Sequence, residues 1–301
     1  MKTKFKSSIR AAYHSFGRAV CAGAILLNAS SAQAQNLFES DFGTGSIYEF
    51  TPGGAQSTFA SGLVYPAGLA FNSAGDLFVA TEDGYIYEYS SGGAQSTFAS
   101  GLAYPHGLAF NSAGDLFEAD GGSGNIYEFT PGGAQSTFAS GLNDPTGLAF
   151  DSAGDPFEAD QFGNRLIEFT PGGARSIFAS GLNGPFGLAF NSAGDLFEAD
   201  SYGGNIYKFT PGGVRSTFAS GLAVPLGLAF NSAGDLFEAD GGSGNIYEFT
   251  PSGAQSTFAS GLSSPSYLAF EGVTLPVPEP TALRLLAFGV FGITLLRRRQ
   301  R

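Results

Sequence analysis

A block of about forty residues recurs along the chain, and the array is cut out of phase at its two ends. Gly-Leu-Ala-Phe begins at positions 68, 107, 147, 187 and 227, with Tyr-Leu-Ala-Phe at 267. Phe-Ala-Ser-Gly-Leu begins at 59, 98, 138, 178, 218 and 258, so the spacing is 39 residues once and 40 thereafter. A period of this size marks stacked supersecondary units that bury their faces only against one another. In the unit from Pro105 to Leu142, Gly107 to Phe110 reads as strand a, Leu116 to Ala119 as strand b, Asn125 to Phe129 as strand c and Ala134 to Ala139 as strand d. Asn111 to Asp115 and Thr130 to Gly133 carry Asn, Pro and Gly where tight turns need them. With 45 Gly and 15 Pro among 301 residues a helical bundle is excluded, while 30 Phe are enough to fill a core.

The phase of the ends decides the architecture. The array opens at Asn36 inside a unit: Leu37-Phe38-Glu39 matches strand b, Ser46 to Phe50 strand c, and Ala55 to Phe59 strand d. Tyr267 to Phe270 is an unmatched strand a at the other end. A ring explains this complementarity, because the last strand then pairs with the first partial sheet and removes both open edges. The expected fold is all-β: a six-bladed β-propeller of four-stranded blades over residues 35–272, closed by a C-terminal strand a on the N-terminal strands b, c and d.

The unit Pro-x-Gly-Leu-Ala-Phe-Asn-Ser-Ala-Gly-Asp-Leu-Phe-Glu-Ala-Asp resembles the NHL repeat across nearly all of residues 36–271. It departs from that family where Val usually precedes Ala-Asp: Glu39, Glu118, Glu158, Glu198 and Glu238 stand there, and only Val79 keeps the apolar residue. Propellers of this type include gluconolactonase-like lactonases and lyases of the virginiamycin B lyase type. The resemblance therefore also implies a metal-dependent or histidine-dependent enzyme as an alternative.

Both termini read as addresses. Lys2, Lys4, Lys6, Arg10 and Arg18, the apolar run Ala19 to Leu27 and the small residues Ala32 and Ala34 describe a secretory signal peptide over 1–34, cleaved before Gln35. The only cysteine, Cys21, lies within it. Residues 273–301 read as a linker, the triplet Pro278-Glu279-Pro280, an apolar transmembrane helix over 281–296 and an Arg-rich tail. This tripartite end resembles the PEP-CTERM sorting signal of exopolysaccharide-producing Gram-negative bacteria. It implies an exosortase-type processing enzyme, a transient inner-membrane anchor, and a final place at the cell surface or in the extracellular matrix.

Between the ends, four basic residues (Arg165, Arg175, Lys208 and Arg215) face 25 acids, a net charge of −21. A phosphate backbone needs a basic footprint, so nucleic acid is excluded as a partner.

Variation within the repeats is confined to the d–a and b–c loops, which a propeller presents on one rim. Tyr65, Tyr104, His106, Asp144, Phe162, Arg165, Phe186 and Tyr202 lie there and are the candidate ligand-binding residues for a polysaccharide or protein. No catalytic residue is assigned: His106 is the one histidine outside the signal segment, and no nucleophile elbow or metal-spaced His/Cys set exists. Glu118 with Asp120, Glu158 with Asp160, Glu198 with Asp200 and Glu238 with Asp240 share strand faces and are candidate Ca²⁺ ligands. The competing reading makes each Asp an Asx-turn residue bonded to its own loop. The expected function is a non-catalytic, surface-sorted binding module; a purely structural spacer is the blander option.

Overall fold

The computed structural model describes residues 35–272. The signal segment with Ala32 and Ala34, and the C-terminal segment with Pro278, Glu279, Pro280 and residues 281–296, lie outside the described residues.

Six four-stranded antiparallel sheets form the ring. In the representative blade strand a is Pro105–Phe110, b is Leu116–Asp120, c is Asn125–Phe129 and d is Gln135–Ser140. The composite blade is as the phase of the repeat requires. Pro265–Phe270 pairs with Leu37–Asp41, followed outward by Ser46–Phe50 and Gln56–Ser61. Its register sets Leu37 against Phe270 and Glu39 against Leu268.

The turns are built by side chains bonding locally. Asn111 Oδ1 accepts hydrogen bonds from the Ala113 and Asp115 N–H groups, both at 2.9 Å, and Gly114 closes the a–b turn with φ of 89°. Thr130 Oγ1 accepts from the Ala134 N–H at 3.2 Å in the c–d turn.

Aromatic rings tie neighbouring blades together. Phe117 meets Phe138 of its own blade and Phe150 of the next, each edge-on with centroids 5.0 Å apart. The composite blade makes the same contact with both of its neighbours, as Phe237 to Phe270 and Phe38 to Phe71. Such pairs add about 0.5–1.5 kcal/mol each beyond the area they bury. Strand d is the exposed outer girdle, and strand b is buried along its whole length.

Strand a starts two residues earlier than its apolar pattern suggests. The cause is a bulge: Pro105 pairs with Asp120 and Leu108 with Glu118, so His106 and Gly107 together oppose Ala119. Bulges re-aim side chains. The residue after each proline therefore sits at the end of the central channel.

Candidate functional site

At the end of strand b one carboxylate fixes the variable rim. Asp120 Oδ2 accepts from the Ala103 N–H at 2.7 Å and Oδ1 from the Ser123 N–H at 2.8 Å. It thus joins the d–a loop to the b–c loop. Asp41 does the same with Ser263 and Thr44, both legs being 2.8–2.9 Å, and Asp240 with Ala223 and Ser243, both at 2.8 Å. Asp160 accepts from the Asn143 N–H at 2.7 Å, while its other oxygen forms a 2.6 Å ion pair with Arg165. Asp200 accepts from the Asn183 N–H. Where a Thr replaces the Asp, Thr81 Oγ1 donates to Asp83 at 2.6 Å.

The loops so fixed leave two circles of variable residues around the channel mouth. The first follows each rim proline: Ala67, His106, Thr146, Phe186, Leu226 and Ser266. The second follows strand b: Phe42, Glu82, Gly121, Gln161, Ser201 and Gly241. Backbone bonds lock one circle to the pre-proline residues, as in Gly121 N–H to Tyr104 O (3.0 Å) and Gln161 N–H to Asp144 O (3.2 Å). Tyr65, Tyr104 and Asp144 take positive φ values of 49°, 58° and 59° immediately before proline. That backbone is strained for a side chain bearing Cβ, and strain of this kind gathers at ligand sites.

Within the circles lies a cavity of about 220 Å³. Phe42, Ala67, Glu82, His106, Phe186, Leu226, Ser264, Ser266 and Tyr267 line it. Its polar side comes from three consecutive blades. A methyl group on Gly121 would lie 2.5 Å from Asp144 Oδ1 and 3.0 Å from His106 Nε2, so only glycine lets this pair converge. Burial pushes the His106 imidazole below its ordinary range, and Asp144 opposes the shift only in part. His106 Nδ1 is buried without a hydrogen-bond partner. Burial raises the Glu82 and Asp144 carboxyls; Asp144 adds to the effect on Glu82.

Tyr267 forms the floor. In the other five blades its place on strand a is held by Gly68, Gly107, Gly147, Gly187 and Gly227. There a Cβ would collide with the neighbouring blade's backbone: the Phe186 carbonyl oxygen for Gly147, the Thr146 carbonyl oxygen for Gly107. At the seam the chain carries a tyrosine instead. Its N–H donates to Ser40 Oγ at 3.1 Å, in a blade where Ser40 replaces the usual Ala. Tyr267 lines both the rim cavity and a second one of about 170 Å³ walled by four of these glycines, Gly107, Gly147, Gly187 and Gly227, and by the leucines that follow the column, such as Leu148 and Leu188. The axial channel is thereby divided and the rim cavity is blind.

The residues expected to bind ligand separate into three groups. His106 and Phe186 line the cavity, with Asp144 beside His106. Tyr65, Tyr104, Phe162 and Tyr202 stand exposed at the rim, at 52%, 59%, 56% and 60%. Tyr65 also stacks on the cavity residue Phe42, with centroids 4.6 Å apart. Arg165 is held by Asp160. Phe186, only 8% exposed, is a wall rather than a projecting anchor. The alternation pattern did not single out Tyr267, Phe42 or Glu82 as one site; Tyr in a column of glycines was the signal available.

The carboxylate series sits elsewhere. Each strand-b Asp oxygen pair serves the loops, whereas Glu39, Glu118, Glu158, Glu198 and Glu238 are fully buried with both oxygens unpartnered. They alternate onto the same strand face as residues such as Leu116. Burial, then the neighbouring Asp, drives each carboxyl well above the usual range. Among the described residues no three His, Cys, Asp or Glu side chains gather as a metal cage. The Glu–Asp pairs expected as Ca²⁺ ligands lie one pair to each strand b that carries them.

No family model and no curated protein matches the sequence. Solved structures do match the fold. A chain of the nidogen/laminin complex superposes with a TM-score of 0.73 at 19% identity, covering 80% of this chain and 100% of that one. A gluconolactonase-like protein gives 0.63 at 17% identity over 69% and 82% of the two chains. Virginiamycin B lyase from Staphylococcus aureus gives 0.58 at 18% identity over 68% and 77%. At these identities the likeness is one of fold: this chain is a six-bladed β-propeller whose structural neighbours include both a binding partner in a complex and lactonase- or lyase-like proteins.

Proposed function

We propose that this chain is an exported, surface-sorted NHL-like propeller that acts as a non-catalytic binding module, with its variable rim docking on an extracellular polysaccharide. One observation carries the reading: the large non-repeating side chains collect on a single face around a blind cavity, while the opposite face repeats blade after blade. Exposed Tyr65, Tyr104, Phe162 and Tyr202 surround that cavity and offer flat apolar faces on which pyranose rings stack. The leader over 1–34 and the Pro278-Glu279-Pro280 terminus support export, processing by an exosortase-type enzyme and passage through a membrane-anchored stage. The test is retention of the full chain in exopolysaccharide matrix. Replacing the four rim aromatics together with Ala is expected to reduce retention at least about tenfold, a loss of about 1.4 kcal/mol; unchanged retention overturns the reading.

A second reading rests on His106 and Asp144 meeting over Gly121. A neutral imidazole beside a carboxylate is the arrangement of a general base, as a lactonase or lyase would use. Turnover of a lactone that is lost on His106→Ala would favour it over the binding module.

A further inference from the structure

The blind cavity has two properties that select its occupant. Three aromatic side chains, Phe42, Phe186 and Tyr267, wall it, Glu82 is its acidic lining residue, and the Asp144 carboxylate stands beside the lining residue His106. Neither the Glu82 nor the Asp144 side chain makes a hydrogen bond among the described residues, and Asp144 has only the His106 imidazole, held towards its neutral form by burial, beside it. None of the ring's four basic side chains supplies the missing positive charge. Arg165 is bound to Asp160 and Lys208 to Asp195, while Arg175 donates to the Ser140 carbonyl and Arg215 to that of Gly181. A half-buried carboxylate without a hydrogen-bond partner is partly stripped of water and gains from a cation, and aromatic faces attract a cation where water is excluded. An ammonium group satisfies both. The floor at Tyr267 prevents a polymer from threading the ring, so the cavity admits only an end. The hydroxyl-bearing residues Ser264 and Ser266 complete the wall.

We infer that the rim cavity binds the terminal residue of an amino-sugar chain through its protonated amine, held between Glu82 and Asp144 and packed on Phe42, Phe186 and Tyr267. The inference deepens the polysaccharide-binding reading and rests on it.

The test is titration of the full chain with glucosamine, N-acetylglucosamine, glucose and butylamine, followed by ligand-observed NMR. Glucosamine is expected to bind at least about tenfold more tightly than each of the other three, and Glu82→Gln and Asp144→Asn each to weaken it by at least about tenfold. Asn tolerates the positive φ at position 144, so that variant keeps its loop. Equal binding of the amine and its acetylated form overturns the charge argument. Equal binding of butylamine replaces the sugar by any ammonium, a partner's lysine included, and overturns the assignment. If these probes fail to discriminate while the rim-aromatic variant still loses matrix retention, the cavity inference falls and the rim reading stands.

Discussion

Tyr267 meets Phe186 across the axis of the ring, with centroids 5.1 Å apart, and its hydroxyl donates to the Thr146 carbonyl at 3.5 Å. One side chain from the closing strand thus braces two blades beyond its own sheet.

Replacing Tyr267 with Gly restores the residue of the other five blades and joins the two axial cavities. Loss of a buried aromatic ring is expected to lower stability by about 3–5 kcal/mol. Gly147→Ala is expected to be as harmful for the opposite reason, since its methyl group meets the Phe186 carbonyl. Thermal melts of the two variants check both.

The five buried glutamates set the pH dependence of the ring. Their folded pKa values lie above the unfolded value of 4.5, so the folded chain holds protons that the unfolded chain has released. This stabilisation is complete below about pH 4.5 and is lost as pH rises through the folded pKa values. Each group contributes up to about 1.4 kcal/mol per pH unit within that window. Asp195, lowered by Lys208, and His106, lowered by burial, work in the other direction. The melting temperature is expected to fall from pH 5 to pH 9. Glu118→Val, which copies Val79, is expected to raise it at pH 8 and to flatten the profile.

The strand-b aspartates are expected to behave as loop braces. Asp120→Ala frees the Ala103 and Ser123 N–H groups and is expected to cost about 1–3 kcal/mol. Hydrogen exchange at those two amides should rise more than at strand c.

Closure makes a sharper demand. A chain lacking Ser266–Glu271 exposes the edge of Leu37–Asp41 and gives up Tyr267, Leu268 and Phe270, all buried. The expected result is loss of the cooperative melt, or strand exchange into dimers visible by sedimentation. A monomer that melts like the intact chain would contradict ring closure.

The architecture was legible because six near-copies leave one free choice, the phase of the ends. Leu37 pairing with Phe270 follows from that phase alone. The Asx-turn reading of the aspartates agrees with the bonds of Asp120. The glutamates were harder to read. Alternation places Glu118 on a face with Leu116 and Asp120, but both faces of a blade pack against neighbours, so that face meets apolar side chains instead of water. For Phe186 the rim position was legible but its inward turn was not: the bulge before Leu188 aims it into the cavity, and bulges leave no mark in a hydrophobic pattern. Tyr267 stood in plain view as the one bulky residue in a glycine column.

Gln35 and Glu271 meet at the seam, where the Glu271 N–H donates to the Asn36 carbonyl at 3.1 Å and Gln35 Nε2 donates to the Glu271 carbonyl at 2.9 Å. Both exits from the ring therefore open at one point, at the a–b end of the closing strand and away from the variable loops. The chain thus enters and leaves the ring on the face opposite the asymmetric mouth, so neither exit obstructs what that mouth can meet.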